Sequence, residues 1–467
     1  MSLWDVIVIG GGCNGLAAAA LMAQHGRRTL LLEQRSVVGG LSGAFTYRRD
    51  RRIDGMRPFA GGCRIELLKP LGITSDTLKS TSDRWTFRDV EGRTFTPADT
   101  QGYDRYQAFL DHAVPVLRQI CGAHARPYRL SRITRSLSAA LRSGPSALRS
   151  IARTAPLSAQ DFLDEFFTCD RIKGALVAPL LLRTQGGPWT PFGALQLMLH
   201  QAAGGGFGPS GPELARALYA SAQAAGVIIR TGRRAVGLQS SKRHWSVALE
   251  DDSSAAARDV IPACSPRLLS ESLLDPALTA GQPAFRTRGT CALLTFETDS
   301  PTAPLSSTRI QCSLGMTAME RAFDCVKHGR VPHQQVLLVT GTALEAGGQS
   351  VRIHALQTPS LPAQAWTRQA RETLVQRILT QLRAHLPELE GEIGSAHLWT
   401  PADLAEEFLV PGGHLWHFER DLDQLTHPPS IPALDGLYPG ESHMESGYVC
   451  ASGLGAARRV LRDRNRI

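Results

Sequence analysis

The chain has 467 residues, which is enough for two domains that each bury a substantial hydrophobic core. Hydrophobic residues make up 43% of it and charged residues 20%, a composition typical of globular proteins and not of disordered or fibrous ones. The formal net charge is +9, but no recognised nucleic-acid-binding module accompanies it, so we do not expect a nucleic acid as partner.

The first predicted element is a strand, turn, helix and strand in succession. Residues 6–9 are apolar, residues 10–15 are rich in glycine, and small residues follow with the spacing of a helix. Residues 30–32 form a second apolar segment, which ends at the acid Glu33. Because both strands, the turn, the helix and the acid occur in the right order, the segment predicts a dinucleotide bound at the turn.

Each glycine of this turn has its own expected role. Gly10 permits the tight turn, Gly12 lets the backbone approach a pyrophosphate, and Gly15 lets the helix pack closely on the strand. The free N–H groups and the positive dipole end of the helix favour phosphate. Glu33 lies where a carboxylate accepts hydrogen bonds from the hydroxyls of an adenosine ribose.

A glycine pair follows shortly after the acid. Gly39 and Gly40 are followed by Leu41 and Ser42. This pattern resembles the second fingerprint of FAD enzymes of the amine-oxidase and phytoene-desaturase superfamily. The resemblance implies that these glycines let the chain pass close to the diphosphate.

The same resemblance continues in the middle of the chain. Residues 204–218 run from a glycine-rich stretch into a predicted helix, residues 225–232 predict a short strand, and residues 259–266 a returning strand. In this superfamily a valine after the short strand meets the adenine through its backbone. Val236 takes that place.

Residues 436–457 resemble the closing module of phytoene desaturases and carotenoid isomerases. They contain a Gly-Leu-Tyr strand, a turn with an acid, a glycine-rich loop and a helix of small residues. By this resemblance Glu441 binds a ribityl hydroxyl. Gly440, Gly447 and Tyr448 then lie near the pyrimidine end of the flavin.

The cofactor that the resemblance implies is FAD. It implies these cofactor-binding residues: Gly10, Gly12, Asn14, Gly15, Glu33, Gln34, Gly39, Gly40, Leu41, Ser42, Val236, Gly440, Glu441, Gly447, Tyr448 and Val449. A second G-x-G-x-x-G that directly follows an apolar strand, as an NADPH site needs, does not occur in the sequence, so we expect electrons to leave through oxygen, a quinone or another diffusible acceptor. No His, Cys, Asp or Glu cluster has metal-ligand spacing, so no metal site is predicted.

The sequence assigns no catalytic residue. His414, His417 and His443 lie in segments that the resemblance places near the flavin, so one of them could move a proton near neutral pH. A lone histidine is more often structural. Trp416 and Tyr448 either line the substrate cavity or pack as ordinary aromatic side chains.

The resemblance predicts an α/β protein with a Rossmann-like FAD-binding domain and a second, inserted α+β substrate domain. The FAD-binding domain is discontinuous and comprises residues 1–75, 204–265 and 405–467. Residues 76–203 and 266–404 form the substrate domain.

Three elements of the substrate domain are predicted from local pattern. Residues 291–296 and 335–340 are short apolar runs typical of strands. Residues 366–386 place Leu374, Ile378 and Leu382 at four-residue spacing, which predicts an amphipathic helix.

Between His112 and Gln160 the chain has no acid but many arginines. They are Arg118, Arg126, Arg129, Arg132, Arg135, Arg142, Arg149 and Arg153. Leucine and arginine faces separate along this segment, which Gly144 and Pro145 break into two helices. The pattern is typical of a surface that docks on an anionic membrane or on an acidic carrier protein, and equally of a solvated face over a core helix.

The nine cysteines are an odd number without C-x-x-C spacing, which favours reduced thiols over a disulfide framework. The chain enters its first strand without a basic and then apolar leader, and no apolar run reaches about eighteen residues. We therefore expect a cytoplasmic protein, with peripheral membrane attachment as the alternative.

The predicted function is that of an FAD-dependent oxidoreductase. It would desaturate or dehydrogenate a largely apolar organic substrate by hydride transfer to the flavin. Two alternatives stay open. One is a flavin amine oxidase, and the other is a non-redox protein of the carotenoid-isomerase or flavin-binding kind.

Overall fold

Short apolar segments of the sequence become strands, and longer segments with a repeat of three to four residues become helices. The strands are β1 Trp4–Ile9, β2 Thr29–Leu32, β3 Ala44–Tyr47, β4 Arg51–Asp54, β5 Trp85–Arg88, β6 Thr94–Phe95, β7 Ile228–Arg230, β8 Ala235–Ser240, β9 Trp245–Leu249, β10 Ser254–Pro262, β11 Cys291–Thr298, β12 Arg309–Cys312, β13 Leu337–Ala343, β14 Gln349–Leu356 and β15 His397–Trp399. The α-helices are α1 Cys13–Gln24, α2 Ile65–Leu68, α3 Tyr103–Gly122, α4 Pro145–Thr154, α5 Ala159–Asp164, α6 Asp170–Val177, α7 Gly193–Ala202, α8 Gly211–Ala224, α9 Pro266–Leu268, α10 Pro276–Thr279, α11 Met316–Lys327, α12 Arg368–His385, α13 Pro401–Phe408 and α14 Ala451–Arg464.

These elements come from a computed structural model, which describes most of the chain. The described residues are 3–47, 51–57, 65–74, 76–78, 85–122, 145–202, 210–241, 243–280, 287–289, 291–298, 305, 309–344, 348–360, 365–389, 393–417, 419, 434–440 and 449–464.

The chain divides into two units, each made of separate segments. The first unit comprises Met1–Thr81, Phe207–Phe285 and Asp423–Ile467. The second comprises Ser82–Gly206 and Arg286–Leu422.

Residues 405–422, which the sequence analysis assigns to the FAD-binding domain, fall in the second unit. The reason is local packing. A Cβ added at Gly413 would lie 2.1 Å from the carbonyl oxygen of Pro401, and one added at Gly412 would lie 1.4 Å from that of Thr287. This turn therefore packs on neighbouring backbone of the second unit.

A six-stranded sheet forms the centre of the first unit, in the order β7-β2-β1-β10-β9-β8. The strands β7, β2, β1 and β10 are parallel, and β9 and β8 continue the sheet antiparallel. In β1 the side chains of Val6 and Val8 pack against α1, α8 and α14, while Ile7 and Ile9 pack in a second cluster on the other face. Burial on both faces is what the uninterrupted apolar run of β1 requires.

A seven-stranded sheet forms the centre of the second unit, in the order β15-β11-β14-β13-β12-β5-β6. One face packs against Leu374, Ile378 and Leu382 of α12 in a hydrophobic core. The predicted strands at 291–296 and 335–340 and the predicted helix at 366–386 are confirmed as β11, β13 and α12. The mixed α/β architecture of the predicted fold class is likewise confirmed.

No described helix is both long enough and apolar enough to cross a bilayer. The cysteines that the structure describes are free thiols at positions Cys13, Cys169, Cys264, Cys291, Cys312, Cys325 and Cys450.

A buried carboxylate fixes the turn between β5 and β6. Asp89 accepts hydrogen bonds from the backbone N–H groups of Glu91 and Arg93 and from the guanidinium groups of Arg93 and Arg171. Burial raises the pKa of Asp89, but these hydrogen bonds outweigh it and lower the pKa to about 2. The charged form is therefore bound more tightly in the folded protein than the neutral form.

Replacing Asp89 with asparagine should destabilise the protein by about 2 kcal/mol at neutral pH. Because the folded-state pKa lies below the ordinary value of 3.8, the stabilisation is complete above about pH 4 and is lost as the pH falls toward 2. Urea unfolding of both proteins across this pH range measures the difference. The exposed Asp324 is the control, since Asp324→Asn should change the free energy of unfolding little at any pH. A difference between Asp89→Asn and wild type that is constant with pH would contradict the assignment.

Candidate cofactor site

The turn between β1 and α1 can be made only with glycine at two positions. Gly10 has a φ of 102°, in the region that favours glycine. A Cβ added at Gly15 would lie 1.8 Å from the carbonyl oxygen of Gly10. The helix therefore lies directly against the end of the strand, as the sequence predicts for Gly15.

Gly12 stands at the N-cap of α1 and faces open space. A Cβ added there would meet nothing nearer than the Cα of Gly40, at 4.0 Å. Among the described residues no side chain caps this helix end, and its first turn contains no acid. Its first N–H groups and its positive dipole end are therefore placed to receive the phosphates of a dinucleotide.

Glu33 follows β2 and is buried, with 6% of its surface exposed. Its Oε2 accepts a hydrogen bond of 2.6 Å from the N–H of Gly11, and its Oε1 accepts one of 2.9 Å from the N–H of Arg35. Burial raises the pKa of Glu33, and these backbone hydrogen bonds oppose that rise. Because each carboxylate oxygen has two lone pairs, both oxygens can still accept from a ribose hydroxyl.

Backbone hydrogen bonds bring the segment before β8 beside Glu33. The N–H of Arg233 donates to the carbonyl of Glu33, and the N–H of Gly232 donates to that of Arg35, each at 2.8 Å. Val236 follows three residues after Arg233 and is 44% exposed. Val236 therefore follows closely after the segment that is bonded to Glu33, and its contact with the adenine stays a prediction.

The glycine pair lies beside the start of α1. The N–H of Gly39 donates to the carbonyl of Gly11 at 2.7 Å, and Gly12 and Gly39 form a parallel bridge. Both Gly39 and Gly40 have positive φ, and the buried Leu41 and Ser42 continue as a short 3₁₀ turn. The structure thus brings the two predicted glycine motifs together.

The C-terminal helix closes on the same place. The N–H of Gly453 in α14 donates to Oδ1 of Asn14 at 3.3 Å, and a Cβ added at Gly453 would lie 2.0 Å from the carbonyl of Asn14. The N–H of Gly440 donates to the carbonyl of Pro262 at 2.8 Å. Asn14 therefore orients the start of α14.

The predicted Gly-Leu-Tyr segment pairs in parallel with β10 over a short length. The N–H of Val260 donates to the carbonyl of Gly436 and the N–H of Tyr438 to that of Val260, on either side of a bridge between Leu437 and Val260. The predicted cofactor contacts Glu441, Gly447 and Tyr448 lie outside the described residues, while Val449 is described in the turn before α14.

The N–H donors at the start of α1, the open space at Gly12 and the carboxylate of Glu33 together fit the diphosphate and adenosine ribose of FAD. The helix end supplies N–H donors for phosphate, and Glu33 supplies acceptors for the ribose hydroxyls. Gln34 lies in the bend after Glu33. The described residues contain no group of three or more His, Cys, Asp or Glu arranged for a metal ion.

Of the candidate proton carriers, His414 is fully buried in the second unit. Its Nδ1 accepts a hydrogen bond of 3.2 Å from the N–H of Trp416. The guanidinium carbon of Arg183 lies 5.4 Å from the centroid of the Trp416 ring. The sequence analysis singled out Trp416 but missed Arg183, which belongs to no motif. His443 lies outside the described residues, and His417 has a positive φ of 71°.

Residues 123–144 of the arginine-rich segment, which include five of its eight arginines, lie outside the described residues. In the part that is described, α4 buries Ala147 and Ile151 and exposes Arg149, while Arg153 forms an ion pair with Glu165. Docking on an anionic membrane or an acidic partner stays a prediction.

Comparison with known proteins gives three kinds of match. The model of the DAO family, described as FAD dependent oxidoreductase, matches residues 5–403. The chain is 24% identical to pyridine nucleotide-disulfide oxidoreductase domain-containing protein 2 of Mus musculus, over 98% of this chain and 94% of that protein. It is also 54% identical to all-trans-retinol 13,14-reductase of Macaca fascicularis over a stretch that covers 9% of this chain and 7% of that protein.

Among solved structures, cyclohexylamine oxidase from Brevibacterium oxydans IH-35A matches with a TM-score of 0.54. The match covers 100% of both chains at 14% identity. At this identity the similarity shows a shared fold.

Proposed function

The chain belongs to the FAD dependent oxidoreductase family, and from this premise we propose that it desaturates or dehydrogenates a largely apolar organic substrate, as phytoene-desaturase-like enzymes do. When bound, FAD supplies a hydride acceptor that no side chain can replace. We choose an apolar substrate over an amine because the guanidinium group of Arg183 lies beside Trp416.

Arg183 argues against an amine as the substrate. Trp416 is one of the two aromatic residues for which the sequence leaves cavity lining and ordinary packing open, and we take it as cavity lining; the guanidinium beside it carries a permanent positive charge. A substrate ammonium within about 5 Å of this group would meet a repulsion of about 3 kcal/mol at an effective dielectric constant of about 20. The shared fold with an amine oxidase supports the alternative reading, but it does not supply a site for a cation.

In this proposal the residues of the first unit bind and orient the cofactor. The N–H groups at the start of α1 hold the diphosphate, Glu33 holds the adenosine ribose, and Gly12 keeps the space open between them. Formation of a conjugated alkene needs no strong catalytic base. This agrees with the sequence, in which we assign no residue as a catalytic base.

The test is anaerobic reduction of the purified holoprotein. The flavin absorbance should bleach on mixing with an apolar polyene or alkene precursor and should stay unchanged with primary alkylamines of similar length. Dithionite serves as the control that the flavin can be reduced at all. Bleaching by an amine with release of an aldehyde would establish the amine-oxidase alternative. A flavin that dithionite bleaches but no organic substrate does would support the non-redox alternative.

Reduced nicotinamides should be poor electron donors to this flavin. The sequence has one glycine turn that follows an apolar strand and is itself followed by a helix, a second strand and an acid, and we assign this fingerprint to FAD. Stopped-flow mixing of the holoprotein with NADH or NADPH should therefore give flavin reduction far slower than the turnover rates of about 1–1000 per second that are usual for enzymes. Reduction within that range by either nucleotide would overturn the assignment of a single site.

A further inference from the structure

A groove in the second unit lies where three helices begin and one aromatic side chain is exposed. Its volume is about 390 Å³. The residues that line it come from the starts of α5, α6 and α11 and from the loop before α7, and they are Ser158, Gln160, Asp161, Asp170, Trp189 and Thr317. We call it the Trp189 groove. A volume of this size is near the lower end of the range for ligand sites, so the groove has room for a small molecule.

Trp189 is the most exposed of the large hydrophobic residues that the structure describes, with 54% of its surface accessible. Its backbone is nevertheless held in place. The N–H of Trp189 donates a hydrogen bond of 3.0 Å to Oε2 of the buried Glu320, and the carbonyl of Pro188 accepts one of 3.1 Å from the N–H of Gln160. An exposed indole on an anchored loop offers a binding surface that needs little ordering when a ligand arrives.

Two carboxylates of the Trp189 groove have no cationic partner within the described part of the chain. They belong to Asp161 and Asp170, which are both exposed. The basic residues next along the chain, Arg171 and Lys173, pair with other carboxylates. The groove therefore combines open space with negative charge that no described side chain compensates.

Helix position explains how these carboxylates are tolerated without a cation. Asp161 lies in the first turn of α5, where it accepts a hydrogen bond of 2.7 Å from Oγ of Ser158, and Asp170 is the first residue of α6. Oδ2 of Asp170 also lies against the N-cap of α11, since a Cβ added at Gly315 would lie 2.2 Å from it. Negative charge is stabilised near the positive end of a helix dipole. The groove is thus an acidic site on a protein whose formal net charge is +9.

From this combination we propose that the Trp189 groove binds a small organic cation, an ammonium or a guanidinium ion. An indole ring attracts a cation that lies over its face, and Asp161 and Asp170 supply opposite charge beside it. An anion would be repelled by these carboxylates, and a purely apolar ligand would withdraw them from water without a partner. The inference goes beyond the proposed function, because a cation bound here is a ligand and not the compound that is oxidised.

Isothermal titration calorimetry of the holoprotein compares choline with the neutral alcohol in which a carbon atom replaces the nitrogen of choline. The two molecules have nearly the same shape, so their difference in affinity reports the effect of the charge. Choline should bind about 10-fold more tightly. Butylguanidinium and its neutral counterpart butylurea make the same comparison for a guanidinium ion. If neither cation binds more tightly than its neutral counterpart, the proposal is wrong, and this outcome depends on no variant.

Variants locate the cation within the groove. Trp189→Leu should lose most of the preference for the cation, and Trp189→Phe, which keeps a less attractive ring, should fall between it and wild type. Asp161→Asn and Asp170→Asn keep the size of the side chain without its charge, and each should weaken cation binding by about 3-fold. The matched control is Asp324→Asn, which changes an exposed aspartate of α11 that pairs with Lys327 and should bind choline like wild type.

Unchanged FAD content and an unchanged thermal midpoint show that a variant is folded. Wild-type preference for choline in Trp189→Leu and in both asparagine variants of the groove would place the cation elsewhere and overturn the proposal. Losses in Asp324→Asn as large as those in the groove variants would overturn it as well.

The two proposals fail in different ways. If choline binds in the groove but no apolar compound ever bleaches the flavin, the proposed function fails and the cation site stands. If an apolar compound bleaches the flavin while neither cation is preferred over its neutral counterpart, the proposed function stands and the Trp189 groove is not a cation site.

Discussion

Gly15→Ala should leave no folded flavoprotein, whereas Gly12→Ala should leave a folded protein that binds almost no FAD. The added Cβ at position 15 would lie 1.8 Å from the carbonyl oxygen of Gly10, so the backbone itself has to move. The cost should exceed about 3 kcal/mol, a large share of the stability of an average domain. At position 12 the backbone has a φ of −71°, which alanine adopts freely, and the new methyl group enters the space assigned to the diphosphate.

The pair of variants separates folding from cofactor binding. Circular dichroism and the thermal midpoint of the FAD-free proteins measure folding, and absorbance of the purified proteins measures FAD content. The free energy of unfolding of Gly12→Ala, derived from its thermal midpoint, should lie within about 1 kcal/mol of that of FAD-free wild type. A yellow Gly12→Ala protein with full FAD content would show that the diphosphate does not lie against this glycine.

Glu33→Ala should weaken FAD binding by about 10- to 100-fold. The substitution removes the acceptor for the ribose hydroxyls, and a hydrogen bond to a charged group contributes about 1.5–3 kcal/mol. It also deprives the N–H groups of Gly11 and Arg35 of their acceptor, so the FAD-free protein should be less stable as well. Titration of FAD into the stripped protein, followed by quenching of flavin fluorescence, measures the affinity.

Two further variants make this experiment specific. Glu33→Gln keeps the size of the side chain and one acceptor oxygen but no charge, so its affinity for FAD should lie between those of wild type and Glu33→Ala. Glu250→Ala removes an exposed glutamate of the same unit that pairs with Arg234, and it should bind FAD like wild type. Wild-type affinity in Glu33→Ala would rule out the ribose contact.

The parts of the fold that the sequence predicted are those fixed by local pattern. The first strand, its glycine turn and the acid after β2 are adjacent in sequence, and glycine is required there for reasons of backbone geometry and close contact. The helix α12 was found because its apolar spacing matches a single buried face, and the strand β11 because a continuous apolar run suits a strand that is buried on both faces. In these places local preference and tertiary packing agree.

The parts that the sequence did not predict depend on long-range pairing. The alignment of Arg309, Thr340 and Arg352 across the seven-stranded sheet exists only because of the register of three separate strands. Each strand alone shows polar residues beside apolar ones, which is typical of any strand with two different faces. The contact of Arg183 with Trp416 joins residues more than two hundred positions apart, and no local signal precedes it.

Closure of the first unit by α14 has a consequence for synthesis on the ribosome. The carboxylate of Asp259 in β10 accepts two hydrogen bonds from the guanidinium of Arg464 in α14. Oδ1 of Asn14 in α1 accepts a hydrogen bond from the N–H of Gly453 in α14. Translation adds about 5–20 residues per second, so roughly 20–90 seconds pass between the synthesis of α1 and that of α14. The second unit ends at Leu422, so the unit whose synthesis starts first is the last to be completed. Nascent chains therefore lack the part of the cover of α1 that α14 supplies until translation is almost finished, and a chain stalled before Gly453 should occupy chaperones without acquiring flavin.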